Sequence, residues 1–193
     1  MKHVIGIGAM SAALACSSAW AQGANPAFAN PATPGIETGN PEGDTLNAAD
    51  QVFLRAAALG NRAEADLGNL AAEKASAASV KDFGRRMAAD HGATLNSVER
   101  LARAGETPLP RELDMDHRVL MQQLREADAG AFDIEYIRAQ VAEHQRTATL
   151  LIYQIGAGQS EQVRNFAKES LVGVMDHLAA AKQIHAELTG AAP

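Results

Sequence analysis

A chain of 193 residues is long enough for one domain with a real core. Only 4% of it is aromatic and alanine is abundant, which fits close-packed helices and argues against sheets. The formal net charge is -6 with both signs interspersed, so no phosphate-binding surface is expected and nucleic acid is excluded as a partner.

Lys2 and His3 precede an apolar run from Val4 to Ala15, and Ala19-Trp20-Ala21 makes a small-x-small cleavage site before Gln22. The run is too short to be a permanent membrane span. Residues 1–21 therefore read as a cleavable signal peptide, and the periplasm is the expected location. The one cysteine, Cys16, lies inside this segment. Lipoprotein processing would cleave before Cys16 and acylate it, but Ala13-Leu14-Ala15 is a poor version of that signal. On the main reading the mature chain has no thiol, which excludes disulfides, thiolate metal sites and cysteine catalysis. Residues 22–46, rich in Pro, Gly and Asn, cannot bury enough apolar surface to offset their ordering entropy and read as a flexible tether.

From Asn47 to about 189 the chain reads as one helical domain. Asn47 with Asp50, and Ser79 with Asp82, suit the starts of the first two long helices. Gly105 and the prolines of "GETPLP" end the second. A short helix covers about 112–127. Phe132-Asp133 opens a third long helix to about Ile155, and Ser160 after "GAGQ" caps a fourth that runs to about Leu188. Tight turns within each pair make two antiparallel hairpins. The expected architecture is an all-α, antiparallel four-helix bundle with a short extra helix in its middle connection.

The apolar stripes of these helices are each interrupted by one ionisable residue. The first stripe is Phe53, Ala57, Gly60, Glu64, Leu67 and Ala71, and the second is Val80, Gly84, Met87, His91, Thr94, Val98 and Leu101. The third is Ile134, Ile137, Val141, His144, Ala148, Leu151 and Ile155. The fourth runs from Val163 through Phe166, Ser170, Val174, His177, Ala181 and Ile184 to Leu188. A buried carboxylate is costly unless compensated. Three imidazoles and a carboxylate, one per helix, are economically explained as ligands of one transition-metal ion; Zn, Cu, Fe and Mn all fit the donor types. With the first turn placed at 77–78, Glu64 and His91 fall at one height. With the second at Gly158, His177 lies five residues further from the turn than His144, an offset of ~7.5 Å. Glu64, His91 and His144 are thus the better-aligned members. Asp90, Glu143 and Asp176 each precede a histidine and can accept an imidazole N–H from a neighbouring helix; the plainer reading is a solvated acidic flank. His117 and His185 carry no assignment.

The segments "DQVFLRAAALGNRAEADLGNLAAEKAS", "VKDFGRRMAADH", "FDIEYIRAQVAEH" and "VRNFAKESLVGVMDHL" resemble an exported bacterial family of unknown function, assigned to the ferritin-like superfamily and often labelled predicted outer membrane protein. The resemblance runs from about residue 48 to 188. It implies a ferritin-like bundle and an envelope location but no activity, and the family's inward positions match Glu64, His91, His144 and His177. The di-iron centres of better-known ferritin-like proteins place a Glu three residues before a His. Here those positions are Ala88, Val141 and Val174, so that chemistry is not expected and the likeness concerns the fold. No phosphate loop, Gly-x-Ser-x-Gly or His-Glu-x-x-His is present. Two functional readings follow. One is a periplasmic metal-binding bundle for metal handling or envelope stress. The other is a non-catalytic structural or interaction module of the envelope, with a protein partner there and a hydrogen-bonded polar core.

Overall fold

The computed structural model describes residues 46–190, so the expected signal peptide and most of the tether lie outside the described residues. The described chain is all-helical: α1 (Ala48–Lys74), α2 (Ala78–Ala104), α3 (Met115–Glu126), α4 (Ala129–Ala157) and α5 (Glu161–Thr189). Three-residue connections fold α1 onto α2 and α4 onto α5. The two hairpins then meet with α1 against α4 and α2 against α5. None of these helices is long and apolar enough to cross a membrane.

The core is two apolar clusters with a polar layer between them. Leu67, Val80, Phe83, Met87, Phe132, Ile137 and Ile184 belong to one cluster. Phe53, Leu54, Val98, Leu151, Val163 and Val174 belong to the other. Every long helix contributes inward polar residues between the clusters: Asn61 and Glu64 on α1, His91 on α2, Gln140 and His144 on α4, His177 on α5. Burying the flanking apolar side chains supplies the free energy that lets such a layer exist.

Where α1 crosses α2, glycine sets the separation. A β-carbon on Gly68 would lie 2.6 Å from both the Ala88 nitrogen and the Gly84 oxygen, and one on Gly84 would lie 2.8 Å from the Gly68 oxygen. The two backbones are therefore in direct contact.

Each hairpin's turn is held by a carboxylate from the other hairpin. Asp50, fully buried in the first turn of α1, accepts from Gln154 Nε2 (2.5 Å) near the end of α4 and from Gln159 N (3.2 Å) and Ser160 N (3.0 Å) just before α5. Asp133, near the start of α4, accepts from Ser76 N (3.0 Å) and Ala77 N (2.7 Å) at the start of α2. These carboxylates satisfy orphan N–H groups and face the positive ends of the helix dipoles. The step from Asp50 to Ser76 equals that from Asp133 to Gln159, so the clasp is reciprocal. Asp133→Ala should cost about 2–4 kcal/mol by stranding two amides, and Asp133→Asn, which keeps an acceptor, should cost less. Urea denaturation of the two variants checks this order.

One cap assignment changes as a result. Asn47 does cap α1, accepting from Asp50 N at 2.8 Å, and Ser160 caps α5 through Val163 N. Ser79, however, lies inside α2, whose N-cap is Ala77 with no side-chain cap of its own. Asp133 replaces it from across the interface. The α4 stripe is also rotated: Tyr136, Gln140 and Gln154 are buried, while Ile134, Val141 and Ile155 are only half-buried. A helix packed on two neighbours buries a wider arc than one stripe.

Candidate metal centre

His91, His144 and His177 meet in the polar layer. Their rings are mutually adjacent, with centroids 5.5 Å apart for His91–His144, 5.3 Å for His91–His177 and 5.3 Å for His144–His177. One ring nitrogen of each lies within 4.8 Å of the others. All three side chains are buried.

The partners of each ring fix its tautomer. The Asn61 amide donates through Nδ2 to the Ala57 carbonyl at 2.8 Å, which turns its Oδ1 toward His91 Nδ1 at 2.9 Å. An oxygen there accepts, so His91 Nδ1 carries the proton and the lone pair sits on Nε2. His144 Nδ1 donates to the Gln140 carbonyl at 2.8 Å, which again places the lone pair on Nε2. His177 is reversed: Nε2 donates to Asp90 Oδ2 at 2.9 Å, and the lone pair sits on Nδ1. The Nε2 atoms of His91 and His144 are buried without a hydrogen-bond partner. Three neutral imidazoles oriented by an amide, a backbone carbonyl and a carboxylate have the outer hydrogen bonds that orient metal-binding histidines. Asp90 itself is steadied by Arg86, whose Nε lies 3.3 Å from the same oxygen.

Of the four residues singled out from sequence, the structure brings three together and leaves Glu64 outside their group. Glu64 is buried, but its Oε2 accepts from Gln140 Nε2 at 2.6 Å. The true turns explain the exchange of Glu64 for His177. The first is centred on Ser76, which sets Asn61 rather than Glu64 at the height of His91. The second is centred on Gln159, which cuts the offset of His177 from His144 to three residues, ~4.5 Å, within the reach of two side chains. Of the three flanking acids, Asp90 holds a histidine. Glu143 pairs with Arg146 and lies 3.9 Å from His117, outside the triad, and Asp176 is exposed. Asn61 and Gln140 were not anticipated; a polar residue one turn from an inward ionisable one, Asn61 before Glu64 and Gln140 before His144, is the signal that marks them.

Burial, and then the neighbouring His144 and His177, hold His91 well below the usual histidine value. His144 is lowered to about 4, by burial first and then by His177. His177 is lowered by burial despite its bond to Asp90. Burial raises Glu64 to about 8, against the opposing Gln140 hydrogen bond. The sites are therefore neutral at pH 7: imidazoles ready to ligate, a carboxyl that is mostly protonated. The stability consequences have opposite signs. The histidine contribution is complete above about pH 6.5 and is lost as pH falls toward about 4, amounting to about 3 kcal/mol for His144 alone. The Glu64 contribution is complete below about pH 4.5 and is lost as pH rises through about 8. In chelator, Glu64→Gln should remove the decline between about pH 6.5 and 8 and leave a rise toward pH 6.5 followed by a plateau. Urea midpoints across pH measure it.

An all-helical domain with a buried, tautomer-ordered histidine triad is thus defined. The chain belongs to the family described as domain of unknown function (DUF4142), which matches residues 37–184. No curated protein matches it. Among solved structures it is similar to a DUF305 fragment from Deinococcus radiodurans, with TM-score 0.66 and 11% identity over 74% of this chain and 99% of that one. It is also similar to CopM in its Ag-bound form, with TM-score 0.57 and 18% identity over 69% of this chain and 93% of that one. At these identities the likeness is one of fold.

Proposed function

We propose that this protein is an exported metal-handling domain, a ferritin-like antiparallel four-helix bundle in which His91, His144 and His177 hold one transition-metal ion. The observation that carries the reading is the approach of one ring nitrogen from each of three buried imidazoles to within 4.8 Å of the others. Lone pairs so placed repel one another, and a cation among them reverses the sign of that interaction. The order of helix contacts and the reciprocal hairpins support the bundle topology, and the signal-like residues 1–21 support export to the periplasm. Imidazole donors suit Zn, Cu and Fe, whereas Mn prefers oxygen ligands such as Glu64, which stands apart here. The likeness to CopM, solved with Ag bound, supports a soft ion such as copper among these.

The competing reading, a structural or interaction module of the envelope, is favoured by the hydrogen bond that each imidazole already makes. It gives no reason for the nitrogens that face one another. Thermal melts of wild type and His91→Ala, each with chelator and with Zn, Cu, Fe and Mn, separate the two: only a metal site responds to the ion and loses that response with the ligand.

A further inference from the structure

A cavity of about 40 Å³ lies beside the triad, with walls from α1, α2, α4 and α5. His91 is the one triad member that lines it. At its outer end are Ala56 and Gly60 of α1 and Thr147 and Leu150 of α4, all half-buried, so the cavity leads from the crevice between α1 and α4 to the buried His91. Its walls carry Glu64, Asn61, Thr94 and Ser170, oxygen-bearing groups in an otherwise apolar lining. A β-carbon on Gly60 would meet nothing within 4 Å, so the missing side chain leaves space there that packing does not require. The buried, unpartnered Nε2 of His91 is the lone pair at this end of the triad.

We propose that this cavity is the route by which an ion reaches the histidine triad, with His91 as the first ligand it meets. The inference rests on the metal-binding reading above. An ion sheds water in steps, and the carboxyl, amide and hydroxyl oxygens along the passage replace part of its hydration before imidazole nitrogen does. Gly60 keeps the passage open, at the modest helix-propensity cost of a glycine inside a helix.

The test is kinetic. Full-length apo protein is mixed with Co²⁺, whose visible absorption changes on ligation, and both the loading rate and the equilibrium affinity are measured. Gly60→Leu should slow loading at least tenfold while affinity stays within about threefold, because the side chain fills the mouth without touching a ligand. Gly156→Leu, exposed on α4 and away from the cavity, should load at the wild-type rate. Wild-type loading by Gly60→Leu would overturn the route, as would a loss of affinity equal to the loss of rate. A wild-type protein that ligates none of Co²⁺, Zn²⁺, Fe²⁺ and Cu⁺ would overturn the metal reading itself, and the route with it.

Discussion

Gly68→Leu is expected to destabilise the domain by at least about 3 kcal/mol. The β-carbon alone would stand 2.6 Å from two backbone atoms of α2. Backbone cannot swing aside as a flexible side chain does, so relief requires moving α2 bodily away from α1. Overpacking usually costs about 1–3 kcal/mol, and a clash against main chain lies at or beyond the top of that range. Separating these helices also disturbs the layer above, since Glu64 and Asn61 lie within two turns of Gly68. Against a total stability of about 5–15 kcal/mol the loss is large. Gly156→Ala provides the contrast: nothing lies within 4 Å of its β-carbon, and exchanging a helical glycine for alanine should stabilise by about 0.5–1 kcal/mol. Denaturant midpoints of the two variants should therefore move in opposite directions.

The second large effect is metal-dependent. At a free-ion concentration one hundred times the dissociation constant, binding to the native state adds about 2.7 kcal/mol, equivalent to a rise in melting temperature of about 8–10 °C for a domain of this size. His91→Ala should abolish that rise. In chelator the same substitution should cost little, because it also relieves the crowding of three lone pairs. A purely structural core predicts the reverse: no response to any ion, and a loss of about 1–3 kcal/mol on removing His91, which strands the Asn61 amide.

Much of this arrangement was legible in the sequence because it rests on local signals. The helix-period stripes located the long helices, and the histidines at 91, 144 and 177 stood out as polar interruptions of apolar faces. What escaped was decided between helices. Moving the first turn from 77–78 to Ser76 changes relative height across the hairpin by about three residues, nearly a helical turn, and that alone exchanges Glu64 for Asn61 opposite His91. The cap of α2 was misread because Asp133 reaches it from 56 residues away in sequence, a distance at which no capping pattern operates. Asp90 looked like a solvated flank since a position 100° from the core stripe can face either water or a neighbouring helix; only the approach of α5 decides.

The most direct measurement is of the imidazole nitrogens themselves, by long-range ¹H–¹⁵N correlation NMR on the full chain at pH 7, apo and after addition of Zn²⁺ or Cu⁺. In the apo protein His91 and His144 should carry their proton on Nδ1 and His177 on Nε2, and the ion should shift Nε2 of the first two and Nδ1 of the third together, at one equivalent. The opposite tautomers, or three rings whose nitrogens do not respond while ion is in excess, would contradict a metal centre at this triad.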